Sequence, residues 1–219
     1  MSLVLSILKD TICTIYERAS VILQGQRLPS NNIQMQFALY RNYNYRENQI
    51  LQVSSWHSKA NDLRAFVDTI NVTGRQSDEA IEIGLQHAVK ESESLYSVSQ
   101  VILIGDTLAN SKEQVRQKRE YYGEVYWKET KFRKATDCAS ELKRLGSKNI
   151  PVHAFYLNDN ARESFEEMAK MTRGHCEQLN VCSPMGAKLL TDLITKEVLI
   201  KAAGDPGYSA VRRYEEIYM

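Results

Sequence analysis

An acid and a hydroxyl stand side by side at Asp106 and Thr107, directly after the continuous apolar run Val101 to Gly105. Such a run, with no alternation towards polar residues, predicts a parallel strand buried on both faces. Open α/β sheets bind ligands beyond the carboxyl ends of their strands, so Asp106 is the first candidate binding residue. A metal or phosphate site on this kind of sheet needs a second acidic strand end. No earlier predicted strand ends in an acid.

The common catalytic motifs are absent from the chain. It has no glycine-rich phosphate loop ending in Gly-Lys-Ser/Thr, no G-x-G-x-x-G turn, no G-x-S-x-G elbow and no H-E-x-x-H. The four histidines are far apart in sequence, and His153 falls within a predicted buried strand, so we interpret them as structural or exposed. His175, Cys176 and Cys182 lie close together but lack the paired C-x-x-C of a structural zinc site. We therefore predict that the chain is not an enzyme.

A second candidate surface is the segment between Tyr122 and Thr136, where aromatic residues alternate with lysines and arginines. Segments of this composition can stack bases and bind phosphates. Glutamates such as Glu124 and Glu129 dilute the positive charge, so we favour a solvated helix with aromatic residues packed beneath it. We expect no nucleic-acid partner. The aromatic turn at 40–46 is open to two interpretations, internal packing or a protein contact at a sheet edge.

The length and the net charge of the chain limit how many domains it can form and which partners it can attract. The 219 residues suffice for one sizeable α/β domain and are fewer than two typical domains need, so we predict a single domain over 1–219. A net charge of +1 creates no general attraction to nucleic acid or an anionic membrane. No apolar stretch approaches the roughly 20 residues that cross a bilayer, and the first residues lack the pattern of a signal peptide. We therefore predict a cytoplasmic protein without a membrane partner. In such a protein the scattered cysteines are expected to be reduced and mostly buried: Cys13, Cys138, Cys176 and Cys182.

The elements that must position Asp106 alternate between helix and strand. An amphipathic helix is predicted through Leu23, and Ser77 is expected to cap a later helix that has Asp78 and Glu79 in its first turn. The short link between the first two strands favours an antiparallel pair. Predicted strands are 33–40, 50–54, 100–105, 150–157 and 175–179, and the other helices are 58–69, 77–91, 111–122, 137–145, 162–171 and 185–203. We thus predict an α/β fold, a doubly wound and mostly parallel sheet flanked by helices, with one antiparallel edge strand.

Four stretches, in the correct order, resemble von Willebrand factor A domains. The segment from Thr73 to Leu85 is similar to the glycine-rich turn and Glu-Ala helix of that family, and Val101 to Asp106 resembles its hydrophobic strand ending in aspartate. The strand at 150–155, and the helix and turn at 165–174, resemble the elements that come next. The likeness covers nearly the whole chain, and it implies the Rossmann-like fold of the family.

The resemblance also implies a metal site. Members of the family hold a divalent cation with an Asp-x-Ser-x-Ser motif after the first strand, a Thr or Asp in a second loop and an Asp in a third. A partner's carboxylate completes the shell. Asp106 matches the third element, and the second falls at Gln76 or at Ser77, whose hydroxyl can coordinate. The first element is absent, and we hypothesise that Met1 takes the place of the motif's last methionine, which makes the domain N-terminally incomplete.

Loss of that first strand has two expected consequences. An inner position of the sheet is left empty, so neighbouring strands have unpaired backbone groups and stability suffers. Asp106 and Ser77 alone form a remnant metal site with too few oxygens to remove water from Mg²⁺, so magnesium binds only if the missing motif is supplied. Without a metal, Asp106 is equally well interpreted as a helix cap or turn residue.

The resemblance implies a non-catalytic protein-interaction module with a protein partner and an incomplete divalent-metal site. The alternative is a doubly wound enzyme, such as a phosphate or nucleotide hydrolase, that uses Asp106. That alternative requires a second acid or a phosphate-cradling loop beside Asp106.

Overall fold

The computed structural model describes residues 2–28, 33–70, 79–94, 98–180, 183–204 and 207–219. Helices and strands are mixed along the chain, which confirms the predicted α/β class. No helix in these ranges is both long and apolar enough to cross a membrane. The elements are α1 (Ser2–Gly25), β1 (Ala38–Tyr40), α2 (Glu47–Ile50), β2 (Leu51–Val53), α3 (Ala60–Asp68), α4 (Ile81–Glu91), β3 (Val101–Gly105), α5 (Lys112–Arg119), α6 (Gly123–Lys128), α7 (Cys138–Ser147), β4 (Val152–Tyr156), α8 (Arg162–Thr172), β5 (Cys176–Gln178), α9 (Pro184–Ala203) and α10 (Gly207–Tyr218).

The chain divides into two compact units. The first comprises 1–37, 54–73 and 179–219, and the second comprises 38–53 and 74–178. Each unit is built from segments that are distant in sequence. The single domain predicted over 1–219 stays a prediction.

The first unit is helical, with α1 packed against α3, α9 and α10. Its core includes Ile15 and Ala19 of α1, whose spacing of four residues puts them on one helix face. The carboxylate of buried Asp192 accepts hydrogen bonds from Arg18 at 3.0 Å and from the Tyr214 hydroxyl at 2.5 Å. Lys188 donates to its other oxygen at 2.6 Å. Asp192 thus links α1, α9 and α10 through one buried charge.

The second unit contains two sheets. Strands β3, β4 and β5 form a parallel sheet in that order, with Leu103 opposite Ala154 and Ala154 opposite Cys176. Strands β1 and β2 form an antiparallel pair, as predicted from their short link. Helix α8 packs against β4, and α4 against β1. In the described ranges no strand joins the two sheets into one.

Strand β3 is less buried than its sequence predicts. All five residues of β4 are buried, whereas only Leu103 and Gly105 of β3 are buried and the other three are partly exposed. The prediction of burial on both faces is therefore wrong for β3. The physical reason is its position, since among the described residues β3 has one strand neighbour and β4 has two.

Several helices and strands begin or end at residues other than those predicted from the sequence. The first strand is only three residues long, because Met35 makes an isolated bridge to His57 instead of pairing in the sheet. Helix α4 begins at Ile81 with Ala80 at the N-cap position, and Ser77, the predicted cap, lies outside the described residues. Helix α7 continues to Ser147, two residues beyond its predicted end. Helix α10 was not predicted at all.

The aromatic and basic segment folds back on itself. Trp127 and Phe132 are buried, as the favoured interpretation predicted. The guanidinium of Arg119, also buried, donates two hydrogen bonds to Glu124, at 2.7 and 3.0 Å, and one to the carbonyl of Phe132. Its charge is therefore satisfied internally and is not presented to a phosphate.

Candidate functional site

Asp106 lies where the sequence predicted it, directly beyond the carboxyl end of β3 and partly exposed. Thr107 follows, with a buried hydroxyl oxygen that has no hydrogen-bond partner among the described residues. Leu108 comes next, and 53% of its surface is exposed. The second predicted metal ligand, Ser77, lies outside the described residues, so its pairing with Asp106 stays a prediction.

A second acid, Glu79, lies near Asp106. Burial, and in second place the negative charge of Asp106, raise the pKa of Glu79 to about 7, while Arg41 acts in the opposite direction. The Glu79 carboxyl group therefore titrates closer to neutral pH than an ordinary glutamate does. Glu79 was not predicted as the second acid, because it precedes a helix and does not follow a strand. A signal for it was its closeness in sequence to Ser77, which the family resemblance placed in the same site as Asp106.

Two hydrogen bonds to the peptide group that joins Glu79 to Ala80 hold Glu79 in place. The amide of Ala80 donates to the carbonyl of Arg41 at 3.1 Å, which ties the start of α4 to the residue after β1. The side-chain amide of buried Asn110 donates to the carbonyl of Glu79 at 3.3 Å, which ties it to the loop after β3. The site is thus assembled from the ends of β1 and β3 and the start of α4.

Beneath the acid pair lies a buried polar network centred on Glu82. Its carboxylate accepts hydrogen bonds from the Tyr43 hydroxyl at 2.8 Å and from Asn110 at 3.2 Å, and the thiol of Cys138 lies 3.8 Å away. Lys118 donates to the side-chain oxygen of Asn110. Burial raises the pKa of Glu82 above its ordinary range. These side chains are hydrogen-bonded to one another inside the protein, so we interpret them as supporting the site and not as contacting a ligand.

Tyr40 connects the two sheets of the second unit. Its hydroxyl donates a 3.2 Å hydrogen bond to the carbonyl of Ile104. Two glycines make room for the ring, since a Cβ at Gly84 would lie 3.0 Å from the ring and one at Gly105 would lie 3.1 Å from the hydroxyl. Burial, followed by the charge of Glu79, raises the pKa of Tyr40 well above its ordinary value. The hydroxyl therefore stays protonated and remains a donor.

The described residues do not make a complete magnesium site. They supply two carboxyl groups near one another, those of Asp106 and Glu79. Magnesium requires near-octahedral oxygen ligands, and the Asp-x-Ser-x-Ser motif that would supply more of them does not occur in the chain. This donor set fits a single cationic group better than a dehydrated metal ion.

The other chemistry-bearing residues lie elsewhere. His153 is buried in β4, and its ring stacks on that of His175 with centroids 5.5 Å apart, in keeping with a structural role. Cys138 is buried, Cys13 and Cys176 are partly exposed, and these three form no disulfide. Cys182 lies outside the described residues, so the sequence argument against zinc there stays untested.

No family model matches the chain, and no curated protein matches it either.

Proposed function

We propose that this chain is a non-catalytic protein-interaction module of von Willebrand factor A type, and that it binds its partner with the loop after β3. One observation carries the proposal. The loop presents the partly exposed acid Asp106 next to the exposed apolar Leu108, with Glu79 as a second acid nearby. The loop lies at the carboxyl edge of a parallel sheet, where α/β folds bind their ligands, and an exposed apolar side chain there supports a contact with a partner.

The charge of the site indicates the chemistry of the partner. A Lys or Arg side chain placed between Asp106 and Glu79 would favour the charged form of Glu79 and relieve the repulsion between the two carboxylates. A phosphate placed there would be repelled by both carboxylates. The proposal therefore names a protein partner with a cationic side chain, and neither a nucleic acid nor an anionic membrane.

Affinity capture with substituted chains tests this proposal. We expect the wild-type chain to retain a defined set of proteins that Asp106→Asn and Leu108→Ser both lose. Glu177→Gln, an exposed acid on β5, which β4 separates from β3, is the matched control and retains the set. Retention of the same proteins by all four chains would overturn the proposal.

The presence of Glu79 also favours the second candidate, a hydrolase. A carboxyl group with a pKa of about 7 beside a second acid is suited to general acid or base catalysis at neutral pH. The discriminating measurement is hydrolysis of a phosphomonoester and of a nucleoside triphosphate in the presence of Mg²⁺. Turnover that disappears in both Glu79→Gln and Asp106→Asn would establish the enzyme. Equal background rates in all three chains support the interaction module.

A further inference from the structure

The edge of β3 that faces away from β4 is identified by its hydrogen bonds. Val101 donates to the carbonyl of Pro151 and Leu157 donates to the carbonyl of Gly105, both at 2.9 Å. In a parallel pair, alternate residues of a strand direct their amide and carbonyl groups to the same neighbour. The backbone groups of Val101, Leu103 and Gly105 therefore face β4. Those of Ile102 and Ile104 face the other side.

No strand lies on that other side in the described ranges. The carbonyl of Ile104 instead accepts its hydrogen bond from a side chain, that of Tyr40. Val101, Ile102 and Ile104 remain partly exposed although all are strongly apolar. A partly exposed apolar strand whose outward edge pairs with no strand among the described residues is a template for pairing with another chain.

We propose that the open edge of β3 binds an extended segment of a partner protein as an added parallel strand, with a Lys or Arg at the carboxyl end of that segment placed beside Glu79 and Asp106. This inference rests on the proposed function as a protein-interaction module, and it adds the conformation and the direction of the partner segment.

The direction follows from the sheet and from its charges. Both existing pairings, β3 with β4 and β4 with β5, are parallel, so a parallel strand continues the same sheet. A parallel strand ends at the same edge as β3, where Asp106 follows β3 and where the carbonyl of Glu79 bonds Asn110 of the loop after β3. A cationic side chain at the end of the added strand is then attracted by Asp106 and Glu79, whereas an acidic side chain there is repelled by both.

The composition of the segment follows from the neighbouring side chains. Partly exposed apolar residues of β3 favour Val, Ile and Thr in the added strand, since strands in parallel sheets are covered on both faces. Main-chain hydrogen bonds to Ile102 and Ile104 supply affinity, and the terminal cation supplies orientation. The Tyr40 hydroxyl is displaced from the Ile104 carbonyl when the strand binds.

A synthetic peptide provides the test. The probe carries a fluorophore and a stretch of about six Val, Ile and Thr residues followed by Lys, and its binding to the full chain is followed by fluorescence anisotropy. Ile102→Pro removes an amide that faces the open edge and leaves the groups that face β4 in place. Ile102→Val keeps the amide and is the matched control. We expect binding about tenfold weaker for Ile102→Pro, and nearly unchanged for Ile102→Val.

Peptide variants test the direction of the added strand. Replacing the terminal Lys with Glu, or moving Lys to the amino end, should weaken binding several-fold, by roughly the strength of one charge contact. Equal affinity of all three peptides would overturn the parallel orientation with its acid contact. Equal affinity of the wild type and Ile102→Pro, or no binding by the wild type, would overturn strand addition itself.

Two controls keep the outcomes separate. Circular dichroism shows whether Ile102→Pro folds. If it does not, a peptide N-methylated at alternate residues is tested on the wild-type chain instead. Equal binding of the methylated and unmethylated peptides overturns the inference. Affinity capture that depends on Asp106 and Leu108, together with peptide failure, refutes strand addition and leaves the proposed function standing. Failure of both refutes both.

Discussion

The hydroxyl of Tyr43 donates a 2.8 Å hydrogen bond to the carboxylate of Glu82, and both side chains are fully buried in the second unit. Tyr43 lies in the loop after β1 and Glu82 lies in α4, so the bond joins two segments that also frame the candidate site. A buried carboxylate is tolerated only while its oxygens have donors.

Tyr43→Phe should destabilise the chain by about 1–3 kcal/mol, because it removes a donor from a buried charge without opening a large cavity. Urea denaturation measures the change. Tyr121→Phe is the control, since 70% of Tyr121 is exposed, and it should leave stability within about 0.5 kcal/mol of the wild type. Equal stability of the two variants would contradict the importance of the Tyr43–Glu82 bond.

Glu79 should make stability depend on pH. Its pKa rises from 4.5 to about 7 on folding, so the folded chain holds this proton more tightly than the unfolded chain does. The carboxyl group therefore opposes folding increasingly as pH rises from about 4.5 to about 7, and fully above that range. Glu79→Gln should be more stable than the wild type by about 1–3 kcal/mol at pH 8, with no such gain at pH 4.

Denaturation curves at several pH values test this prediction, with Glu167→Gln on the exposed face of α8 as the control. A gain that is the same at every pH would show that Glu79 does not titrate as described.

Gly105→Ala should destabilise the chain by about 1–3 kcal/mol through overpacking. The added Cβ would lie 3.0 Å from the ring of Phe165 and 3.1 Å from the Tyr40 hydroxyl. Combining it with Tyr40→Phe should recover part of the loss. Gly25→Ala, where no atom lies within 4 Å of the added Cβ, should cost nothing measurable in thermal unfolding. A comparable loss at both glycines would contradict the close packing at Gly105.

Asp192→Asn should cost about 2–3 kcal/mol, because Arg18 and Lys188 lose the charge that they share in the first unit. Glu216→Gln, which removes an exposed pair with Arg213, should cost less than about 0.5 kcal/mol. Chemical denaturation followed by circular dichroism distinguishes the two. If both variants unfold at the same denaturant concentration, the buried charge does not hold the helices together.

Calorimetric titration with magnesium should give no binding in the micromolar range, because the described oxygens near Asp106 do not complete an octahedral shell. Asp106→Ala should behave like the wild type. Micromolar binding by the wild type that disappears in Asp106→Ala would refute the incomplete site and favour a functional metal centre.

Some of the site was predictable because its signals are local. The apolar run before Asp106 predicted a parallel strand, and β3 is one. Ser111 and Asp137, at the predicted starts of two helices, are N-caps in the structure, since a capping side chain bonds an amide only three residues away. The short link at 41–48 correctly predicted antiparallel pairing. Helix α10 was not predicted; glycine and proline, residue types that interrupt helices, separate it from α9 in the sequence.

The sequence by itself determined the class of fold, the order of most elements and the place of Asp106 at a strand end, because hydrophobic periodicity and capping act over a few residues. Only the tertiary structure decided that Glu79 accompanies Asp106 and that Tyr40 reaches the open edge of β3. Those relationships depend on contacts between segments tens of residues apart, and no local pattern in the chain encodes which distant backbone group a side chain will meet.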